Sequence, residues 1–181
     1  ERDRGGYPGW VAGPALVHAR ARADLVWFIE HGFVKALLAG NAVAAHDIEA
    51  SMFGTTLGMT ASGIPTQGGH GKHMRAINRV RAAGSIAAAV DAGLITDGIM
   101  YACVRCEVPF VLAASIRDDG PLPDVITDML QAQDAMRRHT MQATMAVMIA
   151  SALHGIATGN MLPAFVTDAA GSMRELITIC V

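Results

Sequence analysis

Aromatic residues are scarce in this 181-residue chain, at 5% of the total. Single-stranded nucleic acid is held on aromatic platforms set in basic grooves, and the basic half of that arrangement is missing too. Asp and Glu number 16 against 14 Lys and Arg, a net charge of −2. Nucleic acid is therefore not the expected partner. Cysteine is equally sparse, with only Cys103, Cys106 and Cys180. Cys103 and Cys106 form a C-x-x-C without the second ligand pair that a structural zinc requires, so they read as helix thiols in a reducing compartment. His70 and His73 have no carboxylate or thiol beside them at ligand spacing, and no metal site is expected. Long apolar runs are absent as well. The most apolar stretch, Met145–Ala164, is interrupted by Ser151, His154, Thr158 and Asn160, whereas a membrane span needs about 20 mostly apolar residues. With no signal peptide ahead of the first globular signals, a cytoplasmic location is expected. Also missing are G-x-G-x-x-G, a Walker A sequence, a G-x-S-x-G elbow and an H-E-x-x-H pair.

What the chain has is 52% apolar residues and 17% charged ones, enough for a core and too apolar for disorder. Ala, Gly, Ile, Val and Met dominate, as expected where helices pack closely on a parallel sheet. The same composition suits a subunit interface.

In chain order, Glu1–Gly9 reads as a linker or the end of an upstream segment, and residues 10–181 as one domain. A short strand at Trp10–Ala12, a helix over Val17–His31 ended by Gly32, and an apolar strand at Phe33–Ala39 make a βαβ unit. Gly40, Asn41 and Ala42 close that second strand where such units bind ligands, though a tight turn would use the same residues. A short helix at His46–Phe53 precedes a Gly-, Thr- and Ser-rich loop, Gly54–Gly71, of the length typical of lids. Lys72–Ala92 reads as one long helix whose first half is basic, against the dipole preference. A further helix at Ile99–Cys106 leads into a buried strand at Val108–Ala114. Leu176–Val181 reads as a buried strand at which the chain stops, so a fragment truncated at its C-terminus is expected.

Two stretches carry chemistry. Ser115–Asp124, Ser-Ile-Arg-Asp-Asp-Gly-Pro-Leu-Pro-Asp, places one arginine and three carboxylates on a proline-stiffened loop just past the expected central strand. It reads either as a ligand loop or as a capping loop with Asp124 as the N-cap of a helix running to His139. The second is Ala143–Asn160. There Thr144–Ala150 is a strand and Ser151–Thr158 a helix that starts at once, aiming backbone N–H groups from about Ser151 to His154 at the sheet edge, an arrangement suited to phosphate. His154 is either a further donor there or an ordinary helix histidine. These residues by themselves support a nucleotide-sized ligand over a parallel sheet.

The segments "ALLAGNAVAAHDIEASMFGTTLG", "GGHGKHMRAINRVRAAGSIAAAV", "VPFVLAASIRDDGPLPDVITDML" and "ALHGIATGNMLP" resemble the archaeal-type ornithine cyclodeaminase family, also labelled lysine-oxoglutarate reductase/saccharopine dehydrogenase-like and found as the C-terminal half of arginine dihydrolase fusion enzymes. The resemblance runs from about Val11 to Pro163, and "SIRDDGPLPDV" is its most specific part. It implies an α/β fold, a Rossmann-like open parallel sheet with helices on both faces of the deoxyhypusine-synthase type, a bound NAD, and conversion of L-ornithine to L-proline and ammonia. Carried over residue by residue, the cofactor contacts are Asn41, Ala42, Asp119, Ser151, Ala152, Leu153 and His154. Ser151-Ala152 departs from the Thr-Met of the family pattern, and an acidic ribose partner is expected beyond Val181. For the substrate, Arg117 offers a fork for the carboxylate, Asp118 an amine partner, and His73 a proton shuttle. A homo-oligomer, a tetramer by fold resemblance, is the expected assembly. An amino-acid dehydrogenase of the saccharopine kind and a non-catalytic NAD-binding module stay open as rivals.

Overall fold

The computed structural model describes residues 1–60, 62–167 and 171–181. After a short 3-10 turn at Arg2–Arg4, the elements in order are β1 (Pro8–Ala12), α1 (Ala15–His18), α2 (Arg22–Glu30), β2 (Ala36–Gly40), α3 (Asn41–Phe53), α4 (Gly69–Ala83), α5 (Ile86–Asp91), α6 (Ile99–Arg105), β3 (Phe110–Ala113), β4 (Val125–Ile126), α7 (Met129–Thr140), β5 (Met145–Ile149), α8 (Ala152–Gly159), β6 (Phe165–Thr167), β7 (Met173–Glu175) and β8 (Ile177–Cys180). Six strands form one sheet in the order β4-β3-β2-β1-β5-β8, and every pair in it is parallel. The strands are near-continuous apolar runs because helices cover both faces. Alternation then decides which side chain goes where. Trp10, Ala12, Leu37, Ala39, Leu112 and Val147 join α1 to α6 in the larger core, while Val11, Leu38, Val111 and Met148 meet Met136 of α7 on the opposite face.

The chain builds outward from β1 through β2 and β3 to β4, then returns through α7 to place β5 on the other side of β1. Strand order therefore reverses between β1 and β5. Loops leaving the carboxyl ends of those two strands diverge to opposite faces, which opens a crevice there.

Several expected elements differ. The helix foreseen over Val17–His31 is two, α1 and α2, separated by Arg20 at φ 66°. The long helix over Lys72–Ala92 also breaks, at Gly84 with φ 93°, and Ser85 restarts it by accepting the Ala88 N–H on its side chain. Asp124 is not the N-cap of the following helix. Val125 and Ile126 pair with Leu112 and Ala113 as a strand, Asp128 caps α7, and the Asp124 carboxylate accepts the Ile86 N–H at the start of α5. β6 and β7, ahead of the last strand, pair antiparallel in a sheet of their own. β1 begins at Pro8, inside the stretch read as linker. β8 is an exposed edge strand rather than a buried one. No helix among the described residues is long and apolar enough to cross a membrane.

Candidate active site

At the strand reversal lies a crevice of about 760 Å³, within the range of roughly 300–1,000 Å³ common for small-molecule sites. Gly13 and Pro14 come from the end of β1, Gly40 to Val43 from the β2–α3 junction, Ala113 to Ser115 from β3, and Ser151, Leu153 and His154 from the β5–α8 turn. Met129, Ala132 and Met136 of α7 make an apolar wall.

Two helices begin in this crevice. α3 starts directly at the end of β2, with extended Gly40 as its N-cap, and α8 starts directly after β5, with extended Ser151 as its N-cap. Neither N-cap supplies a side-chain hydrogen bond, and neither first turn holds an acidic residue. The leading N–H groups of both helices and the positive ends of both dipoles are thus turned to the crevice, as a diphosphate requires.

Of the residues singled out in the sequence, Asn41, Ala42, Arg117, Asp118, Ser151, Leu153 and His154 line the crevice. Ala152 belongs to the same turn of α8 without lining it. Two of the polar side chains have structural partners. Asn41 Oδ1 accepts the Leu122 N–H at 3.0 Å, and Asp118 Oδ2 accepts the Ser115 N–H at 2.7 Å, which closes the turn that presents Arg117. Burial in the crevice wall pushes His154 below the usual histidine range.

Asp119 and His73 lie outside that lining, in a second cluster. Its rings run His18, His46, His73, His70 from α1 through α3 to α4, with centroids 4.8, 5.1 and 5.5 Å apart. His73 Nδ1 is 3.1 Å from Glu49 Oε2, and Asp119 Oδ2 lies 3.4 Å from His70 Nε2 and 4.0 Å from His73 Nε2. Donor atoms of His46, Glu49 and His73 fall within 4.8 Å of one another, so the carboxylate absent near His73 in sequence is supplied by α3. Burial, then the neighbouring His73 and His18, lowers His46 to about 4. Glu49 also shows opposing effects: burial raises it, but hydrogen bonds from His73, Gly58, Thr55 and Leu57 outweigh this and leave it below the usual carboxylate range.

Sequence reasoning missed His46 and Glu49. Their i,i+3 spacing on one helix was the available signal. It also missed Asp47, which is fully buried, pairs with Arg22 at 2.6 Å and caps α6 through the Ile99 and Met100 N–H groups. Arg22 also contacts Asp97. Gly98, at φ 102°, is required here because a Cβ would lie 2.0 Å from the Arg22 guanidinium. The cysteines are all free, with Cys103 buried.

A parallel sheet in this order, with helices on both faces and two helix N-termini at its reversal point, defines a Rossmann-fold protein. The model of the family described as arginine dihydrolase ArgZ-like, C-terminal, Rossmann fold matches residues 1–176, and the chain belongs to that family. It is 57% identical over 157 residues to an ornithine cyclodeaminase of Methanopyrus kandleri, covering 86% of this chain and 38% of that protein. A Methanococcus maripaludis structure described as a conserved LOR/SDH protein superposes with a TM-score of 0.88 at 44% identity, over 97% of this chain and 51% of that one. The ternary complex of AgrE with ornithine and NAD+ superposes with a TM-score of 0.85 at 48% identity, over 90% of this chain and 24% of the other. AgrE is the name of the bifunctional arginine dihydrolase/ornithine cyclodeaminase of Nostoc sp.. The chain thus spans about two fifths of the length of the first of these curated relatives.

Proposed function

We propose that this domain holds the cofactor of an NAD-dependent ornithine cyclodeaminase, which converts L-ornithine to L-proline and ammonia. The observation that carries the reading is the pair of uncapped helix N-termini, α3 and α8, facing one crevice at the strand reversal. The relatives' names point the same way.

The residues fit a dinucleotide. Backbone N–H groups at Asn41, Ala42 and from Ala152 to His154 would hold the diphosphate, and the apolar α7 wall suits a ring. NAD, when bound, supplies a hydride acceptor that returns the hydride within the same turnover. The protein's part is orientation, exclusion of water and proton transfer. Arg117, on the crevice rim, would take the substrate carboxylate through its planar fork, and Asp118 would sit beside an amine. Asp119, between the crevice loop and the histidines, links the cofactor site to His73, the proposed proton carrier. The reading carries with it a role in proline formation, a cytoplasmic location and a homo-oligomer.

The test uses the full-length protein with NAD and ornithine deuterated at Cα, followed by mass spectrometry of the product. Proline that keeps its deuterium without net NADH is the expected result. Free NADH formed in step with product would assign the protein to the amino-acid dehydrogenases instead, and bound NAD with no turnover of any basic amino acid would leave a binding module.

A further inference from the structure

Glu49 is a fully buried carboxylate and His73 is 4% exposed, so their contact is shielded from water. Both Glu49 oxygens are occupied. Oε1 accepts the Thr55 hydroxyl and the Gly58 N–H, each at 2.8 Å, and Oε2 accepts the Leu57 N–H at 2.8 Å and faces His73 Nδ1 at 3.1 Å. Four donors around one carboxylate hold it ionised, and an ionised carboxylate only accepts. His73 must therefore carry its proton on Nδ1, which leaves Nε2 as the acceptor when the ring is neutral.

Nε2 points the other way, toward Asp119 Oδ2 at 4.0 Å. Asp119 and His70 are about half exposed, at 47% and 58% of their side chains, so the buried ring reaches the surface only through these two neighbours, beside the loop that carries Arg117. The groups facing His73 are Glu49 and His46 from α3, His70 from its own helix, and Asp119 from the loop. His46 Nδ1 is buried and has no hydrogen-bond partner, and burial keeps that ring neutral. The negative charge of Glu49 is therefore not shared with a second imidazolium. Because all the Glu49 lone pairs are already taken, a metal ion would have to displace the His73 contact.

We propose that Glu49 is a positioning residue for proton transfer: it fixes the tautomer of His73 so that Nε2 takes a proton from the substrate ammonium on the side of Asp119. In that step the N–H bond of the ammonium breaks and its electron pair stays on the amine nitrogen, which becomes a nucleophile. The proton forms a new bond to Nε2, and the imidazolium so formed is stabilised by Glu49 through Nδ1–H. The same proton later returns to the departing ammonia. This rests on the cyclodeaminase reading above.

The experiment compares wild-type protein with Glu49→Gln and His73→Gln, each full-length, by NAD binding and by the pH dependence of kcat for proline formation. Glu49→Gln removes the charge that favours the imidazolium. The expected result is unchanged NAD affinity, kcat lower by roughly 10-fold to 100-fold, and an acidic limb moved to lower pH by about one unit. Should the loop anchored on Glu49 not fold in that variant, His73→Gln decides. It can still donate to Glu49, and is expected to lose the acidic limb along with most of kcat while keeping NAD binding. An acidic limb that stays in place in an active, folded variant overturns the proposal, as does activity lost on dialysis against a chelator and restored by zinc. Wild-type protein that binds NAD but makes no proline overturns the cyclodeaminase reading itself, which separates the two failures.

Discussion

Asn41 Oδ1 accepts the backbone N–H of Leu122 at 3.0 Å, across 81 positions of sequence. That bond ties the N-terminus of α3, where the crevice begins, to the loop carrying Arg117, Asp118 and Asp119. It also explains why Asn41 is 3% exposed although it lines the crevice: its side chain holds the loop and its backbone faces the space.

Asn41→Ala should lose both functions of this contact. A buried N–H left without an acceptor costs about 1–3 kcal/mol, measured by urea unfolding, and NAD affinity should fall because the loop is released. Asn41→Asp keeps the acceptor but sets a negative charge where the diphosphate is placed, so stability should hold while the Kd for NAD rises roughly tenfold or more.

Ser151 tests the second helix terminus. Its side chain makes no cap hydrogen bond at the start of α8, and aspartate is a good N-cap. Ser151→Asp should therefore leave the thermal midpoint unchanged or raise it, while weakening NAD by roughly tenfold through repulsion. Calorimetric titration reads the affinity; a tighter NAD would remove α8 from the diphosphate site.

Arg22 tests the buried scaffold beneath the histidines. Asp47 has a fully buried side chain and Arg22 one that is 24% exposed, and burial raises Asp47 above the usual carboxylate range, opposed by Arg22 and by the Met100 and Ile99 N–H groups. Arg22→Ala should destabilise the fold by about 3–5 kcal/mol, the usual cost of leaving a buried charge without its partner. The loss is expected in denaturant midpoint, with no change in which substrate is used.

His46 tests the pH dependence of stability. Its folded value, about 4, lies below the ordinary histidine value of 6.5. Above pH 6.5 the ring is neutral both folded and unfolded, and it contributes nothing. As pH falls from 6.5 toward 4 the unfolded chain takes up a proton that the folded one does not, so stability is lost over that window, by about 3 kcal/mol in total. His46→Gln should flatten the stability profile between pH 6.5 and 4 relative to wild type; an unchanged slope would show that another group sets it.

Much of the architecture was legible as local pattern. β2, β3 and β5 are apolar runs closed by Asn, Ser and Gly residues, and α8 follows β5 at once, so three strand ends with ligand-binding loops could be read directly. Helix breaks were harder. Gly84 sits in a stretch whose apolar spacing continues past it, and only its left-handed backbone shows that α4 stops there. Val125 and Ile126 match helical spacing as well as strand, and their pairing with β3 decided the matter.

The sequence by itself determined a parallel α/β sheet and the loops at its carboxyl edge, because hydrophobic periodicity and turn chemistry act over a few residues. The tertiary structure decided which of those loops meet and how each polar side chain is used. Asn41 clamps the loop at Leu122, Asp124 caps α5, and Glu49 meets His73 from 24 positions away. Those partners are set by the crossovers that lay α3, α4 and the β3–β4 loop against one another, and no local spacing in the chain encodes them.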